Sequence, residues 1–144
     1  MRDINKELRK AYFTALSGIT NGGAPVPVYY MKLPTSVDAL NYIVYRGLTS
    51  NDVSTKNSFD SDTGVVVEIH TYTDGTNNNG NASDEIADQV LQRIYPSPQS
   101  TLAVAGTVVS NTTVQDDTTQ DFTDSANRSY ISRFITFIHR IYQN

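Results

Sequence analysis

Val65-Val66-Val67-Glu68-Ile69-His70-Thr71-Tyr72 is the stretch on which the fold turns. Its β-branched and aromatic residues favour extended backbone. Successive side chains of a strand point to opposite faces. Val65, Val67, Ile69 and Thr71 therefore form one set, and Val66, Glu68, His70 and Tyr72 the other. The first set is expected to be buried and the second half-exposed, the pattern of a sheet covered on one face only. Asp60-Ser61-Asp62-Thr63-Gly64, just before it, has turn chemistry. A hairpin joining 52–59 to 65–72 is the expected local structure.

Working towards the N-terminus, Asn41-Tyr42-Ile43-Val44-Tyr45-Arg46 reads as another strand. Pro25 and Pro27 lead into a short strand over 26–31, and prolines there suit a sheet edge. Residues 3–19 read as an amphipathic helix, with Ile4, Leu8, Ala11, Tyr12, Ala15, Leu16 and Ile19 on one stripe. Asp3 is its expected N-cap, and Gly18 ends it.

Towards the C-terminus, 73–80 is a polar loop. A second helix is expected over 83–94, capped by Asn81 or Ser83 and stopped by Pro96 and Pro98. Its stripe is Ile86, Val90, Leu91 and Ile94. Leu102 to Val109 is expected to be a strand, bent at Gly106. Residues 110–127 hold only Val114 and Phe122 as large apolar anchors, and read as a long mobile loop or an extended arm. The 74–81 loop is expected to be mobile for the same lack of apolar content. From Tyr130 to Tyr142 a helical stripe exists through Tyr130, Phe134, Ile138 and Ile141. The β-branched and aromatic content, without Ala, Leu, Glu or Lys, favours a strand.

The element order is then α-β-β-β-β-α-β-β, without alternating βα units or an internal repeat. The fold class is α+β: a mainly antiparallel sheet with two helices packed on one face, in a single domain over residues 1–144. That arrangement leaves a problem at the final strand. Tyr130, Phe134, Ile138 and Tyr142 share one of its faces; Ile131, Ile135, Phe137 and Ile141 share the other. One helix layer covers one face. The other face is expected to be covered by a neighbouring subunit or by the 110–127 arm. Phe134, Phe137, Tyr130 and Ile138 are the candidate interface residues, with one of the two phenylalanines expected in the core and one at the interface.

Composition narrows the function classes. Of the 144 residues none is cysteine, which excludes disulfides and thiolate metal sites. Charged residues are 18% and the net charge is −4, with 11 Lys and Arg scattered along the chain. Nucleic-acid binding rests on phosphate neutralisation by such residues, so none is expected. The opening MRDINKELRK lacks an apolar stretch, and no apolar run approaches the roughly 20 residues of a bilayer span. A soluble protein made in a cytoplasm, with no membrane partner, is expected. The surface is polar yet weakly charged and rich in Tyr, nine in all, which suits contacts with other protein subunits.

Catalytic chemistry is not apparent. His70 and His139 lie far apart in strand-like segments and read as structural polar residues. Asp60, Asp62, Asp116, Asp117, Asp121 and Asp124 have no apolar setting that would lift a pKa toward a working value. Asp74 to Glu85 matches a calcium loop at its ends, but the glycine required at the sixth position is Asn79, with Gly80 one place late. An enzyme is not expected.

The ordered elements resemble the tail-terminator (tail-completion) family of tailed bacteriophages. An amphipathic helix ends on Ala15-Leu16-Ser17-Gly18, followed by Val26-Pro27-Val28-Tyr29-Tyr30 and the strand Tyr42-Ile43-Val44-Tyr45-Arg46-Gly47. Next come Ser54-Thr55-Lys56 and Val67-Glu68-Ile69-His70-Thr71-Tyr72-Thr73-Asp74-Gly75, then the helix over Asp84–Ile94. Asp124 and Arg128 lead into the last strand. The match spans nearly the whole chain, and order and spacing carry it rather than any single motif. The 110–127 segment is longer and richer in Thr than the pattern.

The resemblance implies a virion protein made in the bacterial host cytoplasm and placed at the tail–neck junction. It implies a ring homo-oligomer, usually a hexamer, that caps the tail tube protein and joins a neck or head-completion protein. No cofactor is implied. Two other readings stay open: another neck or collar ring component, such as a stopper or adaptor, and a non-viral binding module that uses the polar loops.

Overall fold

The computed structural model describes residues 2–33, 41–73, 79–98, 102–123, 125–126 and 128–143. Helix α1 (Asn5–Leu16) forms because Ile4, Leu8, Tyr12 and Leu16 stack at four-residue spacing, and all four are buried. It is shorter than expected. Ile4 occupies the N-cap position, and Asp3 acts from one residue further out: its Oδ1 accepts from the Asn5 N–H at 2.9 Å. At the other end Gly18 takes φ +83°, a left-handed conformation that glycine adopts without strain. A small hairpin follows, β1 (Thr20–Asn21) to β2 (Ala24–Pro25).

The main sheet has five strands. β3 (Val28–Tyr30) lies at one edge, parallel to β4 (Asn41–Asp52). β4 is antiparallel to β5 (Phe59–Thr73), β5 to β7 (Ser129–Gln143), and β7 to β6 (Val108–Thr123). The spatial order is β3-β4-β5-β7-β6. Helix α2 (Asn79–Ile94) crosses from β5 towards β6 and packs with α1 on one face of the sheet. The expected α+β class and the helices on one side are both found, as is the short strand at an edge.

The core lies between the helices and that face. Val65, Val67 and Ile69 of β5 are buried there, with Ile135, Phe137 and Ile141 of β7 and Ile86, Val90 and Ile94 of α2. The two helices are locked at their ends. Arg93 of α2 donates to the carbonyls of Ala15 (3.1 Å), Ser17 (2.5 Å) and Gly18 (3.3 Å), which the end of α1 leaves without helical partners. Gln89 donates to Thr20 O at 2.7 Å and accepts from Thr20 N–H at 3.3 Å, standing in for a strand partner.

Four expectations need correction. The expected turn over Asp60–Gly64 is strand, inside β5. Asp62 is held there by Arg140 of β7 through two 2.8 Å hydrogen bonds, and Ser61 and Thr63 face the core. The chain reverses at 53–58 instead, where Asp52 Oδ1 accepts from the Ser54 N–H at 2.9 Å and Thr55 pairs with Ser58. Segments 41–46 and 51–52 are thus one strand, β4, with a register shift between Gly47 and Thr49. Leu102–Thr107 is not strand: Leu102 and Val104 are buried plugs, and the chain turns at Gly106, φ +75°.

The third correction concerns 110–127, expected as a loop or an extended arm. Through Thr123 it is the strand β6, in plane with the sheet and hydrogen-bonded to β7. Val114 and Phe122 are exposed and do not anchor it. Helix α2 starts at Asn79, so neither Asn81 nor Ser83 caps it; Ser83 faces the core. Of the loop expected over 74–81, 79–81 are helical in α2; 74–78, with the first positions of the calcium-like loop, lie outside the described residues.

Candidate assembly interface

No described helix packs on the other face of the sheet, and the strand registers assemble it; Val44 and Glu68 near its centre are buried. On β5 the even positions Val66, His70 and Tyr72 are half-buried, as the alternation predicts. On β7 the same face carries Tyr130, Phe134, Ile138 and Tyr142. β4 contributes Tyr42 and Arg46 through the pairs Tyr42↔His70 and Arg46↔Val66, and β3 adds Tyr29. β6 adds Phe122, opposite Tyr130.

Aromatic rings link these strands into two groups. The first runs from Tyr29 to Tyr42 (6.5 Å between centroids), to His70 (5.0 Å, stacked) and to Phe134 (6.1 Å, edge-on). The second joins Tyr72, Tyr130 and Phe122 at 4.9 and 6.1 Å. Phe122 is 63% exposed and Tyr130 38%. Two adjoining aromatic groups left towards water, with five more half-buried beside them, suit a contact surface.

The charges on this face are largely neutralised within the chain. Glu68 is buried and accepts from Arg46, whose guanidinium is held above its ordinary range by that hydrogen bond. His70 Nε2 lies 3.1 Å from Glu68 Oε1, and its Nδ1 lies 2.9 Å from Ser132 Oγ. Burial, and then the charge of Glu68, push the Tyr42 hydroxyl up. Arg140 and Asp62 form their own pair; the hydrogen bond to Arg140 holds the Asp62 carboxyl down. Charges that already have partners can approach another protein with little further desolvation of free ions.

Of the four candidate interface residues, Tyr130, Phe134 and Ile138 share this face. Phe137 does not: it is fully buried under the helices. Sequence reasoning missed Tyr29, Tyr42, His70 and Phe122 as members of the same surface. Their signal was present only in part, since the half-exposed set of β5 was legible and the cross-strand registers were not. The 110–127 arm does not cover the face, because β6 extends the same layer.

A second polar cluster is sealed in the core. The Tyr12 hydroxyl hydrogen-bonds His139 Nε2, and His139 Nδ1 lies 2.9 Å from Thr112 Oγ1. Neither Tyr12 nor His139 reaches solvent. Burial lowers the His139 pKa to about 4 and raises that of Tyr12, so both are neutral. A neutral imidazole has one donor, so either Tyr12 donates to Nε2 and Nδ1–H donates to Thr112, or Thr112 donates to Nδ1 and Nε2–H donates to Tyr12. All three are buried, and the network ties α1 to β7 and β6. A cleft of about 200 Å³ lies between α1 and the β4–β5 hairpin, with Arg9, Tyr30 and Tyr45 in its wall.

Among the described residues, no three His, Asp or Glu side chains converge as a metal site would require. No helix among them is long and apolar enough to cross a membrane. No protein family matches the chain, and no curated protein does. Among solved structures it is similar to a chain of the virion of a native gene transfer agent (GTA) particle. The TM-score is 0.70, with 15% identity over 99% of both chains. At this identity the likeness is one of fold, and it takes in every element described above.

Proposed function

We propose that this chain is a structural subunit of a tailed-phage-like virion, of the tail-terminator kind. It forms a ring, expected to have six copies, that caps the finished tail tube at the tail–neck junction and joins the neck or head-completion protein. It works by geometry, without catalysis or cofactor. The observation that carries this reading is the open aromatic face of the central sheet. It crosses the sheet from edge to edge, its charges Arg46, Glu68, Asp62 and Arg140 are paired, and no described helix packs on it. A fold shared from end to end with a gene-transfer-agent virion chain supports the reading, as does the tail-terminator-like order of elements in the sequence.

The test is assembly. Light scattering on the purified protein, alone and mixed with tail tubes, is expected to give a closed oligomer in at least the second case. Negative-stain images should place it at tube ends. A monomer under both conditions overturns the proposal. A ring that ignores tubes and binds only the head side would move the protein to another place in the neck.

A further inference from the structure

The sheet has two unlike edges. Among the described residues, β6 and β3 are each hydrogen-bonded to one strand of the sheet. A strand edge presents backbone N–H and C=O groups outward, a template for another strand. β6 is long, and Thr112 is its one buried residue. Register shifts interrupt it between Val109 and Asn111 and between Val114 and Asp116, but Asp116 to Thr123 runs unbroken against β7. β6 carries Asp116, Asp117 and Asp121 and no Lys or Arg. Arg133 neutralises Asp117 from behind, at 2.8 and 2.9 Å; Asp116 and Asp121 are exposed.

The opposite edge is cationic. The Arg9 guanidinium sits 5.1 Å over the Tyr30 ring of β3, and Lys32 is exposed just beyond that strand. Two β6 edges brought together would set Asp against Asp. β6 against β3 sets acid against base.

Strand direction agrees with this pairing. β3 runs with β4, and each step from β4 to β5, β7 and β6 reverses direction. β6 therefore runs opposite to β3. A copy placed beyond the β3 edge with its helices on the same side presents its β6 antiparallel to β3. Joining two different edges is a heterologous contact, which generates rings when the rotation closes.

We propose that copies of this chain join head to tail through these edges, the Asp116–Thr123 segment of one lying against Val28–Tyr30 of the next. This rests on the ring reading above and specifies the partner of each edge. It leaves the open aromatic face for the next component of the particle.

The chain has no cysteine, which makes the contact easy to trap. Tyr29, Val44, Glu68, Phe134 and Thr118 lie in one row across the sheet. Sheet twist turns the two edge strands relative to one another, so this row gives the starting register between copies, and cysteines on either side of Thr118 sample it. Within one chain Tyr29 and Thr118 are four strand spacings apart, about 19 Å, too far for a disulfide.

The experiment is oxidation of Tyr29→Cys/Thr118→Cys protein with copper phenanthroline, with Asp116→Cys and Gln120→Cys replacing Thr118→Cys in parallel. A reducible ladder of multimers, absent from each single variant, is expected. Dimers from Thr118→Cys alone would mean that β6 meets β6 and would overturn the proposal. A ring by light scattering with no ladder from any pair would overturn the edge contact and leave the ring reading standing. No ring and no ladder would remove both.

Discussion

Phe134 and Phe137 stand three residues apart on β7 and occupy opposite sides of the sheet. Phe137 is fully buried among core residues, whereas Phe134 packs edge-on against His70, 6.1 Å between ring centroids, on the open face. An odd separation along a strand guarantees this. It means that one strand serves the stability of the subunit with one set of residues and contacts beyond it with the other.

The two phenylalanines should therefore separate on mutation. Phe137→Ala is expected to destabilise the subunit by about 3–5 kcal/mol, the usual range for emptying a core phenylalanine site. Phe134→Ala should leave the urea midpoint nearly unchanged and weaken assembly measured by light scattering. Equal loss of stability in both variants would make Phe134 ordinary core and remove the open face as an interface.

How much of this was legible in the sequence depends on where apolar residues sit. β5 and β7 announce themselves because one alternate set of each must be buried, and α1 because Ile4, Leu8, Tyr12 and Leu16 repeat every four residues. β6 does not. As an edge strand it buries only Thr112, so it needs no apolar alternation, and its Asp and Asn residues read as loop although its threonines favour strand. Asp62 and Gly64 mimic a turn because their cross-strand partners, Arg140 and Ile138, lie more than seventy residues away. The candidate interface was half legible for the same reason. Tyr130, Phe134 and Ile138 share a face by local alternation alone. That Phe122, Tyr42 and Tyr29 join them follows from strand order and register, which no local pattern encodes.

Arg93 is the residue that fastens the two helices. Its three hydrogen bonds to Ala15, Ser17 and Gly18 carbonyls satisfy the end of α1 and place a positive charge at the negative end of its dipole. Arg93→Ala should lower stability by about 1–2 kcal/mol. Arg93→Lys should recover only part, since one ammonium cannot span three carbonyls. A lysine variant as stable as the parent would show that charge alone matters there.

The acidic balance of the chain also makes a prediction. The net charge is −4, and Arg46, Arg133 and Arg140 are each committed to a carboxylate. The isolated protein should not retard duplex DNA in a gel at about 150 mM salt. Sub-micromolar binding that weakens steeply with salt would show a basic surface where this one is read as neutral or acidic.

The last prediction comes from the sealed network of Tyr12, His139 and Thr112. In the folded chain burial pushes the His139 pKa down to about 4; unfolded, it returns to about 6.5. Between those values the unfolded chain takes up a proton that the fold refuses. Stability from this group is complete above about pH 6.5 and falls as the pH drops towards 4. The gap amounts to about 3 kcal/mol across that window. Asp62, held down by its hydrogen bond to Arg140, loses its contribution in the same direction but only as the pH falls through the carboxylate range. The two are separable, because the His139 range lies above the carboxylate range. Urea unfolding at about pH 7.5 and pH 5 should show the loss in the parent. His139→Gln can still bridge Tyr12 and Thr112 but cannot take up a proton, so its stability should be lower at neutral pH and nearly flat across the same interval. A parent protein equally stable at both pH values would mean that His139 reaches water and that the network is not sealed.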